Sequence, residues 1–241
     1  MLRPARSQDQ SLKDLVTFSL SGALAGFRKS VPIALSVFAY GLVFGVLARQ
    51  AGLSLAESVL MSGLVFAGAS QFAVLGLWAS PLPIGTIVLT TAIINLRHLL
   101  MGAVLYPWFS RLRPAAAYLT SFFIVDESWA LTMGEHARGC RDAAFLLGSG
   151  IALFLAWVGA TVAGGMVGDV LQDPSRWGLD FAFTAVFIAL LVGFWKGKAD
   201  LLPWVVAAVV AAVAAELLPG KWYILLGGLA GSLTGAMQND D

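Results

Sequence analysis

The chain has 241 residues, of which 59% are hydrophobic and 12% charged, with a net charge of +1 and a mean hydropathy of +0.82. A soluble domain carries about 25% charged residues, so a chain this apolar takes lipid as its solvent, and its near-neutral charge gives nucleic acid nothing to hold. One cysteine, Cys140, excludes an internal disulfide and a cysteine-based zinc site.

Residues 1–11 are polar and precede no small-residue cleavage site, unlike a typical secretory signal, so the first spanning helix is expected to be retained. Over 11–28, Leu12, Leu15, Val16, Leu20, Ala23, Leu24 and Phe27 recur at helical spacing beside Lys13, Asp14, Arg28 and Lys29. That pattern predicts an amphipathic helix, either lying in the membrane interface or packed on a bundle. A crossing helix needs about 20 apolar residues. Such stretches lie near 31–48, 57–78, 82–106, 115–134, 144–168, 179–195, 201–218 and 222–237.

These stretches predict an all-α integral membrane protein, a bundle of about seven or eight transmembrane helices. Residues 1–30 form a cytoplasmic or interfacial segment and 31–237 one transmembrane domain. The fourth stretch holds Asp126 and Glu127 at its middle, and a partly re-entrant course there would leave seven full spans. Pro81 and Pro83, Pro107 and Pro114, and Asp173-Pro174-Ser175 mark turns.

Lysine and arginine set the orientation. With eight spans, Arg3, Arg6, Lys13, Arg28, Lys29, Arg138, Arg141, Lys196 and Lys198 share one side, and Arg49, Arg111, Arg113, Arg176 and Lys221 the other. That bias puts both termini in the cytoplasm. Gly41 and Gly45, Gly164 and Gly168, and Gly227, Gly231 and Gly235 recur every four residues. This spacing lets helix backbones approach in lipid, within the bundle or, for the last helix, against another subunit. Halves drawn at 31–134 and 144–237 show no residue-level repeat.

Three polar clusters fall inside the apolar stretches, where an ionisable group costs roughly 2.5–3.5 kcal/mol on insertion scales and so faces a cavity or a partner. In Phe66-Ala67-Gly68-Ala69-Ser70-Gln71-Phe72, small residues beside a hydroxyl and an amide predict either a broken helix offering backbone dipoles or tight packing with Ser70 bonded to its own backbone. In Asn95-Leu96-Arg97-His98, Asn95 and His98 share a face and Arg97 points elsewhere. Arg97 can clamp a carboxylate or snorkel to the interface, and His98 can carry a proton. In Asp126-Glu127-Ser128-Trp129, the carboxylates can hold an ammonium group, take a proton, pair with Arg97, or lie solvated in a loop.

Glu216 and Asp200, with Trp108, Trp177, Trp195, Trp204 and Trp222, sit near predicted span ends, where an interfacial belt is expected. No G-x-x-x-x-G-K-[ST] loop is present, so no nucleotide cofactor is implied. Ser70 with His98 raises an intramembrane hydrolase, but no second motif supports it.

The motifs from Gly26 to Ala130 resemble the AzlC family, the large subunit of branched-chain amino acid exporters. They are Gly26-Phe27-Arg28 before Val31-Pro32, then the three clusters in order. Gly178-Leu179-Asp180-Phe181-Ala182-Phe183 with Phe187-Ile188-Ala189-Leu190-Leu191 is similar too, with Thr184 where many relatives have proline. The resemblance implies an inner-membrane exporter of valine, leucine, isoleucine and methionine, not an enzyme, working with a small AzlD-type membrane subunit. Gly68, Ala69, Ser70, Gln71, Phe72, Asn95 and Arg97 are then the candidate substrate contacts. His98, Asp126 and Glu127 are the candidates for proton coupling or for holding the ammonium. A passive channel, an exporter subunit for another small solute, and a structural subunit are the alternatives.

Overall fold

A computed structural model describes residues 16–170, 197–218 and 222–238, with Phe181, Ala185, Ile188, Val192 and Trp195 as isolated positions between. The predicted span 179–195 falls almost wholly outside the described residues. So do Arg3, Arg6, Leu12, Lys13, Asp14, Leu15, the turn at Asp173, Arg176, Trp177, Thr184, Lys196 and Lys221. The described elements are helices: α1 Leu20–Gln50, α2 Leu55–Leu64, α3 Gly68–Leu75, α4 Ile84–Phe109, α5 Pro114–Phe122, α6 Asp126–Ala137, α7 Ala144–Val170, α8 Leu201–Leu217 and α9 Trp222–Gln238. The all-α membrane class is therefore what the structure shows. Four described helices are long and apolar enough to cross a membrane: Leu20–Gln50, Ile84–Phe109, Ala144–Gly168 and Lys198–Leu217. The chain forms two compact units, Met1–Gln71 with Asn95–Gln172, and Phe72–Ile94 with Asp173–Asp241.

In the first unit α1 and α7 run parallel in contact along their length, because small residues line both. Cβ atoms added at Gly26 and Gly148 would meet the backbones of Phe145 and Ala23, and those at Gly45 and Gly164 the backbones of Thr161 and Leu42. The two four-residue glycine repeats at 41/45 and 164/168 thus face each other's helix, as dispersion-driven association in lipid requires. Between them the hydroxyls of Ser30 and Ser149 pair at 2.6 Å, fully buried. The amphipathic stretch at 20–28 is part of this same continuous helix of 31 residues, about 46 Å long. Packing on α7 carries the helix straight through Arg28 and Lys29, while Leu20, Leu24 and Phe27 face outward.

The shared direction is fixed at both ends. Thr17 donates its N–H to the Arg141 carbonyl at 3.1 Å, and its own carbonyl accepts from Ala143 at 2.9 Å. Ser19 caps α1 and donates its N–H and hydroxyl to the Asp142 carboxylate. At the far end a Cβ added at Gly168 would lie 3.0 Å from Arg49 Cβ.

Two elements fold back on themselves against this pair. The apolar run at 57–78 is broken at Val65–Ala67, near Gly68 as the sequence predicts. Gln71 Nε2 then reaches Ser62 Oγ at 3.2 Å, whereas nine residues of straight helix would separate them by about 13.5 Å. The run at 115–134 breaks at Phe123–Val125 and also returns. Trp108, just before it, and His136, at its end, meet edge to face with ring centroids 4.1 Å apart, so this segment enters and leaves on one side. It is re-entrant, which moves Arg111 and Arg113 to the Ser19 side and overturns their placement opposite. The first hairpin enters from the Gln50 end, where Arg49 donates to the Leu53 carbonyl at 2.5 Å. The second enters from the Ser19 end. Their tips meet at Phe154, whose ring lies 5.2 Å from Phe66 and 5.6 Å from Phe123.

In the second unit α8 and α9 pack antiparallel. A Cβ at Gly227 would lie 2.9 Å from Ala211 Cβ, and one at Gly231 would lie 2.9 Å from Ala207 Cβ. The last glycine repeat therefore meets a helix of its own chain. Leu229, Leu233 and Met237 face outward.

Candidate functional site

Both breaks are closed by a serine three residues into the following helix. Ser70 donates to the Ala67 carbonyl at 2.9 Å. Ser128 accepts from the Val125 N–H at 3.0 Å and lies within bonding distance of the carbonyls of Phe123 and Val125. Gly68-Ala69-Ser70-Gln71 and Asp126-Glu127-Ser128-Trp129 therefore occupy equivalent positions in two hairpins of opposite entry. Each break places a helix N-terminus, with its unsatisfied N–H groups and partial positive charge, at a tip.

Helix α4 touches both tips through one short motif. Asn95 Nδ2 donates to Ser70 Oγ at 3.3 Å. Arg97, two residues on and on another face, forms an ion pair with Asp126. The pair is partly open, with side chains 27% and 31% exposed. Three further polar atoms on these elements are buried with no hydrogen-bond partner among the described residues: Asn95 Oδ1, Arg97 Nε and Trp129 Nε1. Below the pair, Met101, Leu105, Ile124 and Leu146 form an apolar cluster on which Trp129 and Met133 pack.

A family model described as AzlC protein matches residues 32–171, more than half of the chain and all of both hairpins. The chain belongs to the AzlC family. It is 30% identical over 222 residues to the inner membrane protein YgaZ of Escherichia coli K12, covering 89% of this chain and 90% of that one. It is 32% identical over 180 residues to an uncharacterized membrane protein of Archaeoglobus fulgidus, covering 72% and 78%. It is 26% identical over 176 residues to the branched-chain amino acid transport protein AzlC of Bacillus subtilis, covering 71% and 68%. No solved structure matches.

Within this AzlC framework the structure pairs Asn95 with Ser70 and, on another face of α4, Arg97 with Asp126. Gly68 heads α3 against Trp157, where an added Cβ would lie 3.0 Å from the indole edge. Ala69 and Glu127 follow at the second helical positions, both half-buried. Gln71 is 1% exposed and held on both sides, accepting from Trp157 Nε1 at 3.1 Å and donating to Ser62. Ser62 and Thr161 complete the ring with hydroxyls 2.9 Å apart, and Thr161 donates to the Trp157 carbonyl. Phe72 is buried and belongs to the second unit. His98 keeps Nδ1 at 3.2 Å from the Asn95 carbonyl, one turn back on α4. Ser70 spends its donor on Ala67, not on His98. Trp157, Ser62 and Thr161 were not singled out from the sequence. One signal was present: Trp157 lies mid-span, away from the ends where tryptophans gather.

Proposed function

We propose that this protein is a proton-driven secondary exporter of branched-chain amino acids, working with a small AzlD-type membrane subunit. A membrane transport role follows from its family; the substrate, driving force and partner are this reading's additions. The observation that carries it is the partly open Arg97–Asp126 pair where the second hairpin tip meets α4. A zwitterion matches that pair charge for charge: its carboxylate suits the guanidinium fork and its ammonium the Asp126 carboxylate. The N-termini of α3 and α6 add positive potential for the carboxylate. Ala69 leaves room at the first tip, which Gly68 seats on Trp157, with Ser70 and Asn95 lining the approach and Gln71 behind. Glu127, next to Asp126, and His98, next to Arg97 in the chain, are this reading's candidates to take a proton.

The Ser19 end carries Arg28, Lys29, Arg111, Arg113, Arg138 and Arg141 in the first unit, against Arg49 at the Gln50 end. By the positive-inside rule this bias supports a cytoplasmic Ser19 end, in a bacterial inner membrane.

The test is efflux of preloaded labelled valine from cells lacking their own exporters. The chain is expressed alone and with a candidate small subunit, with and without a proton gradient. Saturable efflux that needs both subunits and the gradient is the expected result. Efflux that rises linearly with valine and ignores the gradient marks a passive channel and overturns the reading.

A further inference from the structure

The indole of Trp129 has no assigned role, yet its N–H is buried without a partner among the described residues. Buried donors in folded proteins are nearly always paired, so an orphan at a candidate site calls for a ligand. The equivalent residue of the first hairpin, Gln71, has both ends of its amide occupied. Trp129 lies three residues after Asp126, on the same face of α6. It packs on the cluster containing Met101, which lies four residues after Arg97 on α4. The indole is therefore one turn away from the ion pair on both helices. The other orphaned donor at the pair is Arg97 Nε.

We propose that Trp129 is a specificity-determining residue: its N–H and Arg97 Nε together form the subsite for the carboxylate of an α-amino acid. The inference rests on the function proposed above. In the structure Arg97 and Asp126 neutralise each other. An incoming zwitterion separates them, giving its ammonium to Asp126 and its carboxylate to the edge of Arg97 that bears Nε. The indole N–H closes on the second carboxylate oxygen. Both orphaned donors are then satisfied, and no net charge enters the membrane. A substrate without a carboxylate, such as valinamide, leaves both donors unpaired and is rejected for that reason.

The experiment is thermal unfolding of the full chain together with its candidate small subunit in mild detergent, titrated with valine and with valinamide, for the native protein and Trp129→Phe. Phenylalanine keeps the packing on the apolar cluster but lacks the donor. A hydrogen bond to a charged group corresponds to roughly tenfold or more in affinity. The half-saturating valine concentration should rise about tenfold in Trp129→Phe, while valinamide behaves as in the native protein. If Trp129→Phe does not fold, benzothienylalanine at position 129, which keeps the ring shape without the N–H, takes its place. Unchanged valine dependence in the variant overturns the inference and leaves the proposed function standing. A native protein that valine does not stabilise overturns the proposed function, and this inference with it.

Discussion

The parallel contact of α1 and α7 can be tested by paired glycine substitutions on one helix. At Gly148 an alanine Cβ would sit 2.5 Å from the carbonyl carbon and 2.8 Å from Cα of Ala23, with the carbonyl oxygen closer still. Ordinary contact begins near 3.4 Å, and the opposing atoms are all backbone, so the helices must part by more than about 1 Å to clear the Ala23 oxygen. Such overpacking costs about 1–3 kcal/mol, and the parting also strains the adjacent Ser30–Ser149 hydrogen bond at 2.6 Å. At Gly159 on the same helix nothing among the described residues lies within 4 Å of an added Cβ. There the exchange keeps only the helix-propensity gain, up to about 1 kcal/mol. Thermal unfolding in mild detergent, followed by the loss of the monodisperse peak in size exclusion, should show Gly148→Ala falling and Gly159→Ala holding or rising. A Gly148→Ala protein as stable as Gly159→Ala would refute the close parallel packing.

Other expectations follow from the hairpins. Gln71→Leu removes the hydrogen bond from Trp157 Nε1 to Gln71 Oε1, and losing such a bond costs about 0.5–1.5 kcal/mol; the same unfolding assay should register it, whereas Gln71→Leu with native stability would mean the ring does not hold the first hairpin. Lys29 and Arg138 beside Glu135, at 2.5 and 2.7 Å, hold its carboxyl below the usual carboxylate range. A depressed carboxylate contributes stability above its unfolded value and loses it as pH falls through the folded one. Acid should therefore loosen the base of the second hairpin, read as protease access to the 138–141 turn on acidification, and Glu135→Gln should show that access already at neutral pH.

Much of the architecture is legible in the sequence because lipid imposes simple rules. Apolar runs near 31–48, 82–106 and 144–168 correspond to α1, α4 and α7. The glycine spacing at 41/45 and 164/168 marked close approach, and the structure sets those two stretches against each other. The break near Gly68 was readable because small residues and a hydroxyl interrupt an apolar run. What hydropathy cannot distinguish is a straight crossing from a hairpin that enters and returns, since both bury the same apolar residues. Only a contact distant in sequence, such as Trp108 with His136, decides it.

The same limit hid the repeat. It lies between the hairpins at 55–75 and 114–137, not between the halves 31–134 and 144–237. Its marks are few: a serine closing each break and an aromatic residue at each tip meeting Phe154. The three polar clusters were found as separate segments. That Asn95 meets one tip and Arg97 the other depends on a helix passing between two elements, which spacing along the chain does not reveal. Gln71 drew attention as a polar group in an apolar run, but its partners Trp157, Ser62 and Thr161 are distant or unremarkable in sequence.

The central claim is that the Arg97–Asp126 pair is where a zwitterionic amino acid is held during transport. Valine counterflow in proteoliposomes tests it most directly, because exchange of internal for labelled external valine needs no driving force. The chain would be reconstituted with the proposed small subunit, as native protein, Arg97→Gln and Asp126→Asn. The account predicts counterflow by the native protein and at least a tenfold loss in each variant at equal amounts of folded protein, since each removes one charge of the matched pair. Counterflow at the native rate in either variant would contradict it.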